Sequence, residues 1–163
     1  MKTNELKLVY ELMKNSRRSD RELAKSIGSS QPTVSRMIKK LESEGIIKEY
    51  TVIPDFHKLG FEILAIMFFN VEKELDQQQA KKVIDTFQNV LMFERGLGLK
   101  HSYVIVSLHE DYPSYMEFIR QLQHSDLLSL SDNASFLVSL HEDCGFSSFS
   151  SLAEHLFRIL NKF

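Results

Sequence analysis

One short stretch of the chain carries hydrogen-bonding side chains at a spacing that suits recognition of base pairs. A glutamine amide can bond adenine bidentately, a guanidinium can bond guanine, and a hydroxyl can bond either bases or phosphates. The stretch supplies these groups early and two ammonium groups later, in the order Ser29, Ser30, Gln31, Thr33, Ser35, Arg36, Lys39 and Lys40. Such a set could read base edges at one end and bind phosphates at the other.

These side chains must stand on the exposed face of a helix to do that chemistry. Apolar residues recur at three- and four-residue steps through the stretch and predict a helix from Gln31 to Glu44. Its buried seam consists of Val34, Met37, Ile38 and Leu41, which turns Arg36, Lys39 and Lys40 outward. Pro32 suits the first turn, where a missing amide costs little, and Gly45 ends the helix.

Two more helices precede this one. Residues 4–14 carry an apolar face at helical spacing, and the sequence Ser-Asp-Arg-Glu from Ser19 to Glu22 is a capping box that opens a second helix. Gly28 can adopt the left-handed conformation that ends it, so the second and third helices are joined by a tight turn. That arrangement is a helix-turn-helix, whose third helix would enter the major groove of double-stranded DNA. Arg17 and Arg18, between the first two helices, are expected to bind phosphates.

The segment after the third helix is predicted to form a wing. Ile46–Ile53 has the pattern of a strand, Pro54 breaks it, and Phe56–Leu59 could return as a second strand carrying Lys58 toward a phosphate. Gly60 marks a hinge, which divides the chain into domains at residues 1–60 and 61–163. The first carries 12 basic and 8 acidic residues, and the second carries 8 and 14, so only the first has the charge of a DNA-facing module.

The second domain alternates strands and helices in the order β-α-β-β-α-β, followed by one more helix. The predicted elements are Ile63–Val71, Leu75–Phe87, Val90–Glu94, Tyr103–Leu108, Tyr112–His124, Ser135–Glu142 and the amphipathic Phe149–Leu160. This order is the ferredoxin-like split unit, so the predicted class is α+β.

Several other functional classes find little support in the sequence. The single cysteine, Cys144, has no cluster of Cys and His ligands around it, so we expect a free thiol, no metal and no cofactor. No signal peptide or long apolar run is present, which predicts a cytoplasmic chain without a membrane span.

The stretch from Leu23 to Ile47, LAKSIGSSQPTVSRMIKKLESEGII, resembles the Lrp/AsnC (feast/famine) family of transcriptional regulators, and YTVIPDFHKLG from Tyr50 to Gly60 is similar to that family's wing and linker. The resemblance implies a ferredoxin-like effector domain of the RAM/ACT type after residue 60. It also implies homodimers or higher homo-oligomers formed through that domain, with a small-molecule effector, commonly an amino acid, between subunits. Two recognition helices about 34–36 Å apart would then read successive major grooves.

The resemblance also points to an effector-binding loop between the second and third strands of that domain. Amino-acid-binding members usually carry a glycine followed by an acidic residue there, whereas this chain reads GLGLKHS. An acid would hold an amino group and a lysine would repel it, so the candidate set suits an anion better. The candidate residues are Gly96, Gly98, Lys100, His101 and Ser102, and an exposed loop without a ligand is the open alternative.

Two other functions remain as alternatives. Haem-pathway decarboxylases related to this family share the two-domain scaffold, and Arg95, His101, His109 and His141 could be interpreted as their cleft residues. The sequence shows no nucleophile–base pairing, phosphate loop or metal cluster that would favour an enzyme. A sensor that binds a protein partner in place of DNA would have a helix start poor in Ser, Thr, Gln and Arg, and this chain has the opposite.

Overall fold

The computed structural model describes residues 3–125, 128 and 130–141. They form two compact units, residues 3–53 and residues 54–141. The division falls between Ile53 and Pro54, so residues 54–60 go with the second unit and not with the first, where the sequence analysis assigned them. The amide of Phe61 donates to the Phe56 carbonyl at 3.1 Å, which ties this segment to the strand that follows. The predicted helix Phe149–Leu160 and Cys144 lie outside the described residues.

The first unit consists of the three predicted helices, α1 (Thr3–Lys14), α2 (Asp20–Ile27) and α3 (Gln31–Ser43). The capping box is confirmed, because Ser19 Oγ accepts from the Glu22 amide and Glu22 accepts from the Ser19 amide. Gly28 ends α2 at a φ of 66°, a conformation that a side chain would oppose. The apolar faces of the helices meet in one core formed by Leu8, Leu12, Leu23, Ala24, Ile27, Val34 and Leu41.

The two predicted wing strands are wrong at the level of secondary structure. Residues 46–53 bend at Ile46 and Ile47 and then continue without strand pairing, and the amides of these two isoleucines both donate to the Leu41 carbonyl at the end of α3. An extended segment becomes a strand only through a partner. The predicted return strand is a 3-10 helix, His57–Leu59, that ends at Gly60 with a φ of 95°.

A tyrosine fastens the extended segment to α3. The hydroxyl of Tyr50 donates to Glu42 Oε1 at 3.1 Å. Burial, and after it the hydrogen bond and charge of Glu42, raise the pKa of Tyr50 to about 12. The phenol therefore stays protonated and remains a hydrogen-bond donor at neutral pH.

The second unit is the predicted βαββαβ fold. Its elements are β1 (Ile63–Val71), α4 (Gln77–Thr86), β2 (Val90–Gly98), β3 (His101–His109), α5 (Tyr112–Gln123) and β4 (Leu130–Ser139). The strands form an antiparallel sheet in the order β2-β3-β1-β4, as the ferredoxin-like topology requires. Asp76 and Asp111 cap the two helices through capping boxes with Gln79 and Ser114.

The boundaries of three strands differ from the predicted ones, and β4 ends at Ser139 and not at Glu142. β2 and β3 continue to a tight turn at Leu99 and Lys100, both with positive φ (52° and 64°), so the expected effector loop is mostly a hairpin. β4 begins at Leu130, before the predicted Ser135, and pairs along the whole of β1. The sequence did not indicate this start, because the polar run Ser-Asp-Asn does not alternate as a half-buried strand does. Residues of an edge strand can face water on both sides.

The two faces of the sheet have different surroundings. Met67, Phe69 and Ile105 are buried in a core with Val83 of α4 and Phe118 of α5. The alternate residues point to the opposite face, because successive strand side chains alternate. That open face is apolar and only partly shielded from solvent, and it comprises Leu64, Ile66, Phe68, Met92, Val104, Val106, Phe136 and Val138.

A histidine is buried at the end of β3. His109 is 1% exposed, and its ring packs edge-on against Tyr115 and beside Phe118. The amide nitrogen Nδ2 of Asn89 faces Nδ1 at 3.4 Å, so Nδ1 accepts and Nε2–H donates to Ser107 Oγ at 2.9 Å. Burial lowers the pKa of His109, and the ring is held in its neutral form.

This buried ring predicts an acid-sensitive fold. The pKa of His109 is depressed in the folded chain, so the unfolded chain binds the proton more readily and stability is lost as pH falls below about 6.5. The substitution His109→Gln should flatten the dependence of the unfolding free energy on pH between about 7 and 5, relative to the wild-type chain. Chemical denaturation at a series of pH values measures it. The exposed His124→Gln is the matched control, and an unchanged slope in H109Q would contradict the role of His109.

Candidate nucleic-acid interface

The outward face of α3 carries a row of polar side chains. Val34 and Leu41 are fully buried against α1 and α2, and this fixes the rotation of α3 about its axis. Gln31, Arg36 and Lys39 are exposed, and Thr33 is partly exposed near the helix start. The predicted orientation of the helix is therefore present in the structure, with donors and acceptors along the solvent side.

Two hydroxyls are paired at the first turn of α3. Ser30 is the N-cap residue, yet its side chain makes no capping bond and lies 2.7 Å from Thr33 Oγ1. The backbone of the neighbouring Ser29 belongs to the turn, where its amide donates to the Ala24 carbonyl at 2.9 Å. The hydroxyl that donates its single proton within the pair can still accept a hydrogen bond from a nucleic acid, and the other hydroxyl can still donate one. Arg36 Nε lies 3.4 Å from the Pro32 carbonyl, which leaves the rest of its guanidinium toward solvent.

Two of the predicted contact residues connect helices instead of facing outward. Ser35 Oγ donates to Asp20 of α2, and it lies 3.2 Å from the Gln31 carbonyl. Arg18 bonds Glu11, Ser26 and, at 3.2 Å, the Glu22 carbonyl, so it joins α1 to α2. The neighbouring Arg17 is exposed. The bonds of Ser35 and Arg18 hold the helices together, and contact of either residue with DNA stays a prediction.

Lys40 is committed to an ion pair with α1. Its Nζ donates to Glu5 Oε1 at 2.7 Å and lies 3.6 Å from Glu44 Oε1. Glu5 is only 4% exposed, and the hydrogen bond from Lys40 to Glu5 is the main cause that raises the pKa of Lys40. Both Lys40 and the adjacent Lys39 are exposed, but among the described residues only the Lys40 ammonium forms an ion pair with a buried carboxylate.

Two basic residues of α2 were not among the predicted contact residues. Arg21 and Lys25 are exposed and lie one turn apart on the helix. The first helix of a helix-turn-helix crosses the DNA backbone, where such side chains can bind phosphates. The signal was present, since Leu23, Ala24 and Ile27 define the buried face of α2 and leave Arg21 and Lys25 outside it.

The predicted effector residues lie along the β2–β3 hairpin but do not line one common cavity. Asn70 holds the hairpin end, because its Nδ2 donates to the Lys100 carbonyl at 2.9 Å and its Oδ1 accepts from the Ser102 amide at 3.0 Å. A small cavity of about 150 Å³ nearby is lined by Val71, Glu74, Arg95, Ser102 and Tyr103, and among the predicted residues it includes only Ser102. It is smaller than a typical ligand pocket.

His101 is the most unusual residue of the hairpin. Its ring nitrogens are buried and have no hydrogen-bond partner among the described residues. Nε2 lies 3.6 Å from a carboxylate oxygen of Asp132, a distance at which a protonated ring would form an ion pair. Both ring nitrogens of His101 therefore remain able to form hydrogen bonds beside the turn.

The histidines considered for an enzyme do not converge. His101 and His109 lie at opposite ends of β3, roughly 26 Å apart at the rise of a strand. His141 contacts His57 and Glu62 at the His109 end of the sheet, and Arg95 pairs with Glu74 at the other. Within residues 3–125, 128 and 130–141, no three His, Cys, Asp or Glu side chains are grouped to hold a metal ion. No helix in the described part of the chain is long and apolar enough to cross a membrane.

Comparison with known proteins extends these observations. Residues 1–48 match the family model for winged helix-turn-helix DNA-binding domains. The chain is 41% identical over 94 residues to the HTH-type transcriptional regulator LrpC of Bacillus subtilis, which covers 58% of this chain and 65% of LrpC. It is 35% identical over 94 residues to an HTH-type transcriptional regulator of Pyrococcus furiosus, covering 58% of this chain and 63% of that protein. Both alignments span less than two thirds of the relatives' lengths.

Solved structures match over nearly the full chain. The structure of LrpC from B. subtilis superposes with a TM-score of 0.70 at 30% identity, over 85% of this chain and 94% of LrpC. The chain belongs to the Lrp/AsnC family. A Neisseria meningitidis transcriptional regulator solved in complex with L-Met has the same fold, with a TM-score of 0.74 at 18% identity over 92% of this chain and 95% of that one. The named Lrp/AsnC relatives are transcriptional regulators, and the two-domain α+β architecture of this member agrees with their structures.

The different surroundings of Lys39 and Lys40 predict opposite effects of the same substitution in this Lrp/AsnC member. Lys40→Met removes the ammonium that bonds the buried Glu5 carboxylate, so it should lower the midpoint of denaturation. Lys39→Met should leave that midpoint unchanged and reduce the slope of log affinity for DNA against log salt concentration by about one. Thermal denaturation and fluorescence-anisotropy titrations at several salt concentrations measure the two effects. Equal loss of stability in both variants would contradict this division.

Proposed function

We propose that the chain is a sequence-specific, double-stranded DNA-binding transcriptional regulator that reads the major groove with α3. The supporting observation is the division of that helix into a buried seam at Val34 and Leu41 and an exposed row at Gln31, Arg36 and Lys39. The row begins with amide, guanidinium and hydroxyl groups that match base edges. The capped, glycine-terminated α2 before it holds the helix in the geometry of a helix-turn-helix.

Base reading and phosphate binding fall to different residues in this proposal. Gln31, Arg36 and the Ser30–Thr33 hydroxyl pair read bases from the first two turns of α3. Exposed cationic side chains bind phosphates and position the helix, namely Arg17, Arg21, Lys25 and Lys39. Arg18, Ser35 and Lys40 act through the bonds that hold α1, α2 and α3 together.

Arg36 offers the sharpest test of DNA reading. Arg36→Ala should weaken binding to the selected operator by roughly 1–3 kcal/mol, or about 5- to 150-fold, and relax the preference at one base position. Arg36→Lys keeps the charge but loses the bidentate fork, so it should also relax that preference. Selection of bound sequences from random DNA with each variant, followed by anisotropy titrations, gives both quantities.

Two results of that selection would count against the proposal. If Arg36→Lys restores wild-type affinity and base preference, the residue binds a phosphate and not a base. If the wild-type chain enriches no sequence at all, reading of DNA by α3 is contradicted. Glu117→Gln, at a partly exposed position on α5 of the second unit, is the control variant and should leave the selected sequence unchanged.

We also propose that the chain forms a homodimer through the open face of its sheet. This face presents Ile66, Phe68, Val106 and Phe136, and Phe136 is 64% exposed in the single chain. An apolar sheet face of this kind is stabilised by a second sheet packed against it. Dimerisation also serves the DNA reading, because one small module binds weakly and two can occupy successive half-sites.

A charge placed on the open face should separate the subunits. Phe136→Glu should convert the dimer to a monomer, because a carboxylate buried between two sheets has no partner. Sedimentation analysis at micromolar concentration measures the mass. Met116→Glu is the matched control, since Met116 is a similarly apolar, 45% exposed residue on α5. A dimer that survives F136E would place the interface elsewhere.

A small-molecule effector is proposed beside the β2–β3 hairpin. The supporting observations are the buried nitrogens of His101, which have no hydrogen-bond partner among the described residues although Asp132 lies 3.6 Å from Nε2, and the cation of the adjacent Lys100, which suits an anionic group. The Neisseria relative binds L-Met, but Lys100 and Ser102 lie where amino-acid-binding members carry an acid, so we propose an anionic effector for this chain. The DNA selection repeated with pooled cell metabolites, and with Lys100→Ala, tests this proposal.

The proposed role is regulatory and not enzymatic. The relatives that the chain matches are named as transcriptional regulators. The four residues considered for a decarboxylase cleft are distributed over both ends of the sheet, and His109 is fixed as a neutral core residue. Binding to DNA would place the protein in the compartment that holds the genome, in keeping with the cytoplasmic location expected from the sequence.

A further inference from the structure

The first unit carries an apolar groove that none of its three helices fills. The groove has a volume of about 610 Å³ and lies between the second half of α1 and the extended segment 46–53. Val9, Leu12 and Met13 line one wall, and the other wall is the extended segment. The exposed fractions of the apolar side chains on that wall are unusually large, 43% for Ile46, 51% for Tyr50, 78% for Val52 and 45% for Ile53. Contiguous exposed apolar surface of this kind marks a binding surface.

The chain has a segment of matching character outside the described residues. Residues 142–163 comprise 22 residues at the C-terminus. Their sequence predicts an amphipathic helix whose apolar side chains share one face at helical spacing, namely Phe149, Leu152, Leu156, Ile159 and Leu160. A helix with one apolar face needs a hydrophobic surface to cover it.

The start of this segment is joined to the groove by a short length of chain. His141 stacks on His57 with ring centroids 4.2 Å apart, and the Leu140 amide donates to the Glu62 carbonyl at 2.8 Å. His57 follows the groove residue Ile53 by four positions, so their Cα atoms are at most about 14 Å apart on chain length alone. A 22-residue segment spans that distance easily, and tethering raises its effective concentration at the groove to the millimolar range.

Charge argues against the alternative that a second copy of the groove covers the first. The groove carries Lys14, Arg17 and Lys48 against a single acidic residue, Glu49. Two such grooves placed face to face would bring like charges together. The predicted helix brings only one acidic and one basic residue, Glu154 and Arg158, both away from its apolar side.

We propose that the C-terminal segment of this chain, residues 142–163, lies in the groove with the Phe149–Leu160 apolar face against Val9, Met13 and Val52. The segment continues from β4 of the second unit, so its docking adds a non-covalent link between that unit and the DNA-binding helices. Signals from the second unit would then have a route to the first that does not pass through the 53–54 peptide bond alone.

A tryptophan reporter tests this proposal in the full-length chain. The chain has no tryptophan, so Val52→Trp introduces a single fluorophore at the most exposed apolar position of the groove. The docked segment should give blue-shifted emission and weak quenching by acrylamide. Adding Leu156→Glu, which places a charge on the apolar face of the segment, should shift the emission to the red and raise the quenching constant severalfold. Ser151→Glu adds the same charge to the opposite face and should change neither.

Three outcomes decide the matter. A tryptophan quenched as readily as free tryptophan in the V52W chain shows an open groove and overturns the proposal. A shielded tryptophan that is insensitive to L156E also overturns it, and if its shielding falls on dilution the occupant is a second copy. Far-UV circular dichroism confirms that each variant is folded, and Ile46→Trp serves as a second reporter if V52W is destabilised. All of these readings are independent of DNA binding.

Discussion

The orientation of α3 depends on the burial of its seam. Val34 and Leu41 are completely buried against Leu8, Leu12 and Leu23, and this contact fixes which side of the helix faces solvent. Successive side chains of a helix point in directions 100° apart. A rotation of α3 by one residue would therefore place the apolar Met37 where Arg36 now faces solvent. The hydrophobic core therefore determines which side chains can meet DNA, although none of its own residues would touch it.

Polar residues also fix the arrangement of the three helices, through hydrogen bonds and ion pairs between them. The Lys40–Glu5 ion pair joins α3 to α1, the Ser35–Asp20 bond joins α3 to α2, and Arg18 joins α1 to α2. Each bond occupies polar atoms of a predicted contact residue and stabilises the three-helix arrangement, although the Lys40 side chain stays 47% exposed. The exposed Arg21 and Lys25 of α2 add further positive charge on the same unit.

The sequence predicts those features whose causes are local. The capping box at Ser19, the left-handed Gly28 and the apolar periods of α1 to α5 are all encoded within a few residues of each other, and the structure contains them. The wing strands were predicted wrongly because a strand requires a partner, and the amides of Ile46 and Ile47 are used by α3. The role of Lys40 was invisible because its partner Glu5 lies 35 positions away. The early start of β4 was hidden for the same reason, since pairing with β1 and not local composition decides it.

The two units contribute differently to the recognition of DNA. Three helices of the first unit bury one small core, and the phosphate contacts available to a single module of this size support only weak specific binding. The proposed homodimer would supply what the first unit lacks, because the open apolar face of the sheet would give two copies a surface on which to pair. A dimer doubles the number of base and phosphate contacts without enlarging either core. Specific recognition would thus be a property of the assembled pair, and any ligand that changes how the pair is held would change the spacing of the two recognition helices and with it the affinity for DNA.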